Sequence, residues 1–466
     1  MASGIRIDAL TALEQAPLSR RYWWIIALFM AHGVIEMFDF YLVGFLVSVV
    51  GPQWKLNFGQ VSVILLSAGL GQICTALALA RAADQWGRKP VLLASILIYA
   101  LGAGGVALIP EGNWILFAVL RFFVGVGFAG ALVSQMTLII EFSPGRFRTL
   151  VSNASGALAS VGVLLASLSA SQMVGAVGWR GLAALGFIPL LFAAVFAVVV
   201  SESPRWLAAR GRAEAAKDIV ARYVDLPEDE LALPATPETP ERPKLRDLYA
   251  HPGRFWLVVV MSGFLGVASF GVALWGPTIL SLLLNIPPAA AAGYFIWVAL
   301  AGLAGRALFT VVPHRIGRWK ATLVCFWASA AILAVAGLFQ ASFVGGLPVF
   351  FLCLLVGALF YDGGFTNIAP YSVELFPVRI AAQGGGLGSM VTGFTKLIGP
   401  VLLAVIAGSD NILSPKATQD AITPAFLTFA GICAVGGVIM LFLRYETHGV
   451  RPAIGPADDA AAAVPT

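Results

Sequence analysis

The segment "HGVIEMFDFY" (32–41) places two carboxylates, Glu36 and Asp39, three residues apart inside a run of nearly thirty mostly apolar or aromatic residues. His32 precedes Glu36 by four. Spacing of i, i+4, i+7 puts all three on one face of a helix. Two neighbouring carboxylates repel, which favours keeping one of them protonated, and a histidine one turn away could relay that proton. Burial disfavours the charged form of a carboxyl, whereas a nearby guanidinium favours it. Proton exchange is therefore the chemistry open to this face. Four more charges lie well inside apolar runs: Arg121, Arg306, Asp362 and Lys396. Each costs about 2.5–3.5 kcal/mol at a bilayer centre on insertion scales. Three acids and three bases could pair to fix helix packing, and could also exchange protons or hold a substrate.

The elements that must position these charges follow from composition. The 466 residues are 59% hydrophobic and only 11% charged, with a mean hydropathy of +0.88. A soluble domain carries about 25% charged residues. The apolar residues fall into runs long enough to cross a ~30 Å hydrocarbon core as helices, and they lack the alternation of a transmembrane barrel. Twelve spans are expected, near 22–50, 61–80, 90–110, 114–140, 149–171, 178–200, 255–284, 291–312, 321–341, 347–371, 380–407 and 422–444. The fold class is thus an all-α membrane protein.

The net charge of +5 does not mark a nucleic-acid binder, because the basic residues sit mostly in alternate loops. Arg20 and Arg21 precede the first span, and Arg81, Arg88, Lys89, Arg146, Arg148, Arg315, Arg318, Lys320 and Arg379 follow even-numbered ones. Nine more lie between Arg205 and Arg254. The positive-inside rule then puts both termini in the cytoplasm, and a bacterial inner membrane is the expected location. The four cysteines (Cys74, Cys325, Cys353, Cys433) are isolated in apolar spans and read as buried thiols.

One long polar segment, 202–253, divides the chain into a six-span half at 1–201 and another at 254–446. Within this linker "GRAEAAKDIVARYV" reads as a charged helix. "DLPEDELALPATPETPERPK" is too rich in proline and acid to pack. The tail 447–466 is expected to be disordered. An internal repeat supports the division: "EFSPGR" (141–146) and "ELFPVR" (374–379) share E-x-x-P-x-R at an offset of 233, and Gly87-Arg88 and Gly317-Arg318 recur at 230. Two parallel six-helix halves are an arrangement described for transporters with a midplane site.

The loop "ARAADQWGRKP" (80–90) resembles G-x-x-x-D-x-x-G-R-K, the signature between spans two and three of the major facilitator superfamily, with Ala80 replacing the first glycine. The resemblance implies the major facilitator fold and a latch that stabilises one access state, using Asp84, Gly87, Arg88 and Lys89. Glu141, Arg146, Glu374 and Arg379 of the repeated motif join this gating set. "RFFVGVGFAG" (121–130) is similar to the fourth-span pattern of aromatic-acid:proton symporters, with Ala129 in place of a glycine. "ESPRWL" (202–207) and "YETHG" (445–449) resemble the ends of the two halves in sugar porters. "EMFDFYLVG" (36–44) is similar to the first-span signature of metabolite:proton symporters. In such porters the first-span aspartate pairs with the fourth-span arginine, which implies an Asp39–Arg121 switch. Asp39 is then the leading proton carrier, ahead of Glu36 and His32. Lys396 takes the place of an eleventh-span arginine of organic-acid symporters; it could neutralise a substrate carboxylate, or pair with Asp362.

Shifting Asp39 and Arg121 by the repeat offset finds no matching charges, so the second half is expected to contribute more to substrate choice. The candidates are Trp275, Tyr361, Asp362, Asn367, Tyr371 and Lys396, with Gln135 from the first half. The expected function is proton-coupled symport of a small organic anion, a monocarboxylate or aromatic acid, by alternating access. Three alternatives stand beside it: a sugar or polyol:proton symporter, proton-driven efflux of amphipathic compounds, and a transporter-like receptor. "MSGFLGVASFGVALWGP" (261–277) has no Gln or Asn, which ranks sugars lower. There is no Walker sequence, nucleophile–base pair or metal-ligand cluster. No cofactor, metal or catalytic residue is therefore expected; the partners are the organic anion, protons and the bilayer, and the expected state is a monomer.

Overall fold

The computed structural model describes residues 7–15, 17–144, 147, 151, 154–155, 158, 160–224, 226, 230–234, 245–377 and 380–447. Arg146, Arg148, Arg379 and the tail beyond 447 lie outside them. Among the described residues, eleven helical segments are long and apolar enough to cross a membrane. The longest of these segments, Val161–Val199, contains two crossings. Gly178 adopts φ 66°, ψ −174°, a left-handed conformation open to glycine, and the chain turns back there. Residues on either side bear this out: Gly162 packs on Val34 and Phe38, Arg180 reaches Ile109 at the far end, and the carbonyl of Ala197 returns to Lys89. The expected twelve crossings in two halves are therefore present.

In the first half the crossings are α2 (Arg20–Gln53), α3 (Phe58–Trp86), α4 (Arg88–Gly105), α5 (Trp114–Phe142), α6 (Val161–Ala184, broken at Gly178) and α7 (Pro189–Val199), the last joined to α6 by a short 3-10 turn. In the second half they are α10 (Pro252–Leu283), α11 (Pro288–Ile316), α12 (Arg318–Leu338), α13 (Val349–Tyr361) continued by α14 (Gly364–Glu374), α15 (Ala381–Ala407) and α16 (Pro415–Phe442). Polar residues start several of these helices by taking up free backbone donors. Asn57 and Gln60 form a reciprocal capping box on α3, and Asn113 and Ser414 cap α5 and α16. Small residues let helices touch: a Cβ on Gly125 of α5 would lie 1.8 Å from the Ala68 carbonyl oxygen of α3.

The halves meet along α2 with α10, α6 with α11, and α3 with α15. At the end opposite the linker this seam is closed by backbone bonds: Phe58 N–H donates to Asn411, Gly59 to Ser409, and Leu413 to Leu56. The Phe58 ring stacks on Trp275 at 5.5 Å in the same seam.

At the linker end, α1 (Ala9–Gln15), α8 (Pro204–Ala209) and α9 (Ala213–Tyr223) pack together, with Leu10 against Leu207, Ala208 and Ala216. The segment β1 (Ile7–Asp8) pairs in parallel with β2 (Leu231–Ala232). Leu231 is fully buried. The expectation that 225–244 does not pack therefore fails at Leu231, because the N-terminal strand supplies both hydrogen bonds and an apolar partner. Residues 235–244 lie outside the described set. Of the four thiols, Cys325 and Cys433 are buried and Cys353 half-buried, while Cys74 is exposed; α3 turns that face away from its neighbours.

Candidate functional site

The first span carries its charged face unbroken, since α2 is continuous helix through residues 32–39. His32, Glu36 and Asp39 are at most 3% exposed. Asp39 faces α5 of the same half, where Arg121 Nη1 donates to its Oδ2 at 3.0 Å. The Nε and Nη2 of Arg121 are buried without a hydrogen-bond partner. His32 Nδ1 lies 2.6 Å from Gln135 Oε1 and its Nε2 accepts from or donates to the Tyr99 hydroxyl at 3.1 Å. Phe192 and Phe196 enclose the ring, so His32 is held in an aromatic box. Both polar atoms of Gln135 are engaged, its Nε2 donating to the Phe29 carbonyl at 3.1 Å.

Glu36 faces elsewhere. Its nearest ionic neighbour on its own helix is His32 Nδ1 at 4.0 Å, and its Oε1 has no hydrogen-bond partner. It lines a small cavity with Phe40, Gln72, Phe128 and, from the other half, Lys396. Lys396 Nζ donates to Gln72 Oε1 at 3.2 Å and lies over the Phe40 and Phe270 rings at 4.8 and 5.7 Å. Cation–π contact of this kind stabilises an ammonium in apolar surroundings.

The pairing of Lys396 with Asp362 is not what forms. Asp362 instead receives two bonds from Arg306, at 2.7 and 3.3 Å, because α11 packs beside the junction of α13 and α14. Tyr361 and Asp362 line a second cavity between the halves, together with Tyr41, Phe45, Ser160 and Phe295. Three other residues expected at the substrate site are placed away from both cavities. Trp275 lies in the far-end seam, donating to the Pro400 carbonyl. Asn367 bonds Arg318 and Thr322, and the Tyr371 hydroxyl donates to the Tyr445 carbonyl. Span ten runs past the midplane here, which carries Asn367 and Tyr371 to the linker end.

That end holds two equivalent networks. In the first half Gly87 (φ 109°, ψ 158°) turns the chain between α3 and α4, and Arg88 pairs with Asp84 at 3.3 Å and Glu141 at 3.2 Å. In the second half Gly317 (φ 91°, ψ 158°) makes the same turn, and Arg318 grips Glu374 through two bonds of 2.5 and 2.6 Å. The Lys89 ammonium bonds the Ala197 carbonyl at 2.8 Å. Two members of these networks went unrecognised as site residues in the sequence. Glu202 accepts from the backbone N–H of Arg88 and Lys89, and Glu446 from those of Arg318 and Trp319. Both lie in quoted motifs, "ESPRWL" and "YETHG", and each puts a carboxylate at a helix N-terminus, where the dipole and free donors favour it.

Comparison with known proteins gives this geometry a family. A family described as "Sugar (and other) transporter" matches residues 25–451. The chain is 25% identical over 460 residues to the niacin transporter NiaP of Acinetobacter baylyi, covering 95% of this chain and 98% of that one. It is 22% identical over 445 residues to the 4-hydroxybenzoate transporter PcaK of Pseudomonas aeruginosa, covering 92% and 96%. The fold superposes on an inward-facing bacterial homologue of the human lysosomal transporter Spinster with a TM-score of 0.74 at 13% identity, covering 91% and 97%. The chain belongs to the sugar (and other) transporter family of the major facilitator superfamily, and is a membrane transporter, not an enzyme.

Proposed function

We propose that this transporter carries a small organic anion, a monocarboxylate or aromatic acid, together with a proton. One observation carries the reading: a half-buried ammonium, Lys396, shares a cavity between the halves with a buried carboxyl, Glu36, under aromatic cover from Phe40 and Phe270. A cation in apolar surroundings favours an anionic guest, and flat aromatic walls favour an aromatic one. The acid pair Glu36 and Asp39 supplies sites for the proton, with Arg121 as the counter-charge of Asp39. The halves 1–201 and 254–446 rock about this midplane, and the gating set at the linker end, with Arg146 and Arg379, holds one of the two states. The linker end is assigned to the cytoplasm by its lysines and arginines, in a bacterial inner membrane. The names of NiaP and PcaK agree with a carboxylate cargo.

A sugar cargo is the second reading, favoured by the family description. Sugars need several directed hydrogen bonds, and Gln72 is the one side-chain amide among the residues that line the two cavities described above. The deciding experiment is uptake by the reconstituted chain of nicotinate, 4-hydroxybenzoate, lactate, xylose and a quaternary cation, with and without an inward proton gradient. Acid uptake stimulated by the gradient is expected. Uptake of xylose alone would replace the anion reading with the sugar one.

A further inference from the structure

Four of the six intramembrane charges form two pairs, one within each half. Asp39 and Arg121 belong to α2 and α5 of the first half, and Arg306 and Asp362 to α11 and the end of α13 in the second. Rocking of one half against the other leaves distances within each half unchanged. The two charges left over, Glu36 and Lys396, come from different halves and face one cavity. Theirs is the relation that a change of access state alters.

The other charged or titratable groups around Glu36 are accounted for. His32 stands one turn away on α2 and is bonded to Gln135 and to Tyr99 of α4. Asp39, one turn on, is held by Arg121 of α5. From α3 comes the neutral amide of Gln72, itself bonded to Lys396 of α15. Lys396 is thus the one cation that faces Glu36 across the seam among the described residues.

We infer that Glu36 and the carboxylate of the transported acid alternate as the counter-ion of Lys396, which makes Glu36 the site of the coupling proton. This rests on the organic-anion reading above. The charge balance enforces the coupling. With the cavity empty, ionised Glu36 and Lys396 sum to zero. When a monocarboxylate enters and takes the ammonium, the ionised Glu36 becomes a second anion beside one cation. A surplus charge among apolar walls is costly, so while the cavity is open to water on one side Glu36 takes a proton from it, and the sum returns to zero. On the other side the acid leaves, Glu36 releases its proton and again neutralises Lys396. One proton crosses with each monoanion and no net charge moves.

Glu36→Gln separates the steps. Gln imitates the protonated, loaded form, so exchange of labelled for unlabelled 4-hydroxybenzoate, or of whichever panel acid is taken up fastest, is retained. The empty carrier then holds an uncompensated Lys396 and cannot return, so net uptake driven by a proton gradient is lost. Accumulation by Glu36→Gln under a proton gradient overturns the inference. So does loss of exchange in protein that still elutes as the wild type does. Independently of folding of the variant, wild-type uptake of a monocarboxylate should be unaffected by an imposed membrane potential; acceleration by that potential overturns the charge balance. Absence of proton-driven acid uptake in the wild type would instead sink the anion reading itself.

Discussion

The Asp39–Arg121 pair offers a quantitative test of whether it is a fixed brace of the first half. Its N–O distance is 3.0 Å and both side chains are almost fully buried. At an effective dielectric of about 20, a pair at that distance attracts by roughly 5 kcal/mol. Removing one member of such a buried pair strands the other charge and costs about 3–5 kcal/mol. Asp39→Asn strands a guanidinium whose Nε and Nη2 already lack partners. Arg121→Gln strands a carboxylate among apolar neighbours. The double variant Asp39→Asn/Arg121→Gln strands nothing and keeps an amide–amide contact. Each single change should therefore lower apparent thermal stability strongly, and the double should recover most of the loss. A thiol-reactive dye reads the transition, because Cys325 and Cys433 are buried and become reactive on unfolding, over a constant background from Cys74. Unfolding in detergent is commonly irreversible, so the four proteins are ranked at one scan rate. If the loss in the double variant equals the sum of the single losses, the coupling is zero and the charged brace is refuted.

Two further predictions concern the scaffold. Glu202→Ala and Glu446→Ala remove equivalent caps on α4 and α12, and each should cost about 1–2 kcal/mol; markedly unequal drops in apparent Tm would break the equivalence of the two networks. Gly125→Ala drives a methyl into the Ala68 carbonyl and should cost about 1–3 kcal/mol or more, whereas Gly175→Ala, whose new Cβ meets nothing within 4 Å beyond its own helix backbone, should gain about 0.5–1 kcal/mol. The same unfolding assay compares them, and equal behaviour would contradict the close α3–α5 crossing.

Hydrophobic run length and loop charge were enough to read the twelve crossings, because a bilayer imposes a simple length rule on the chain. The intramembrane charges were visible for the same reason: each interrupts an apolar run. Their partners were not. Helical spacing assigns His32, Glu36 and Asp39 to one face, but that face is wide enough for three different neighbours. Asp39 meets α5, Glu36 faces a cavity that α15 lines from across the seam, and His32 is boxed beneath Tyr99 and Gln135. Lys396 and Asp362 illustrate the limit best. Both are half-buried charges of opposite sign in one half, yet helix packing gives Asp362 to Arg306. Asn367 and Tyr371, expected among the substrate-choice residues, sit at the linker end instead, because the register of a long span cannot be read from hydropathy alone. Glu202 and Glu446 were visible as letters of motifs, but their purpose depends on the turns at Gly87 and Gly317 that aim backbone donors at them.

The short pairing of Ile7–Asp8 with Leu231–Ala232 has a consequence for synthesis. Residues 7–15 leave the ribosome long before Leu231–Ala232, the strand they need, which is made only after the six crossings of the first half. At 5–20 residues per second the wait is roughly 10–45 s. During that interval the apolar face formed by Ala9, Ala12 and Leu13 has no partner and stands open to chaperones. Completion of this knot therefore marks the moment when the first half is fully translated, before the seventh crossing begins to insert.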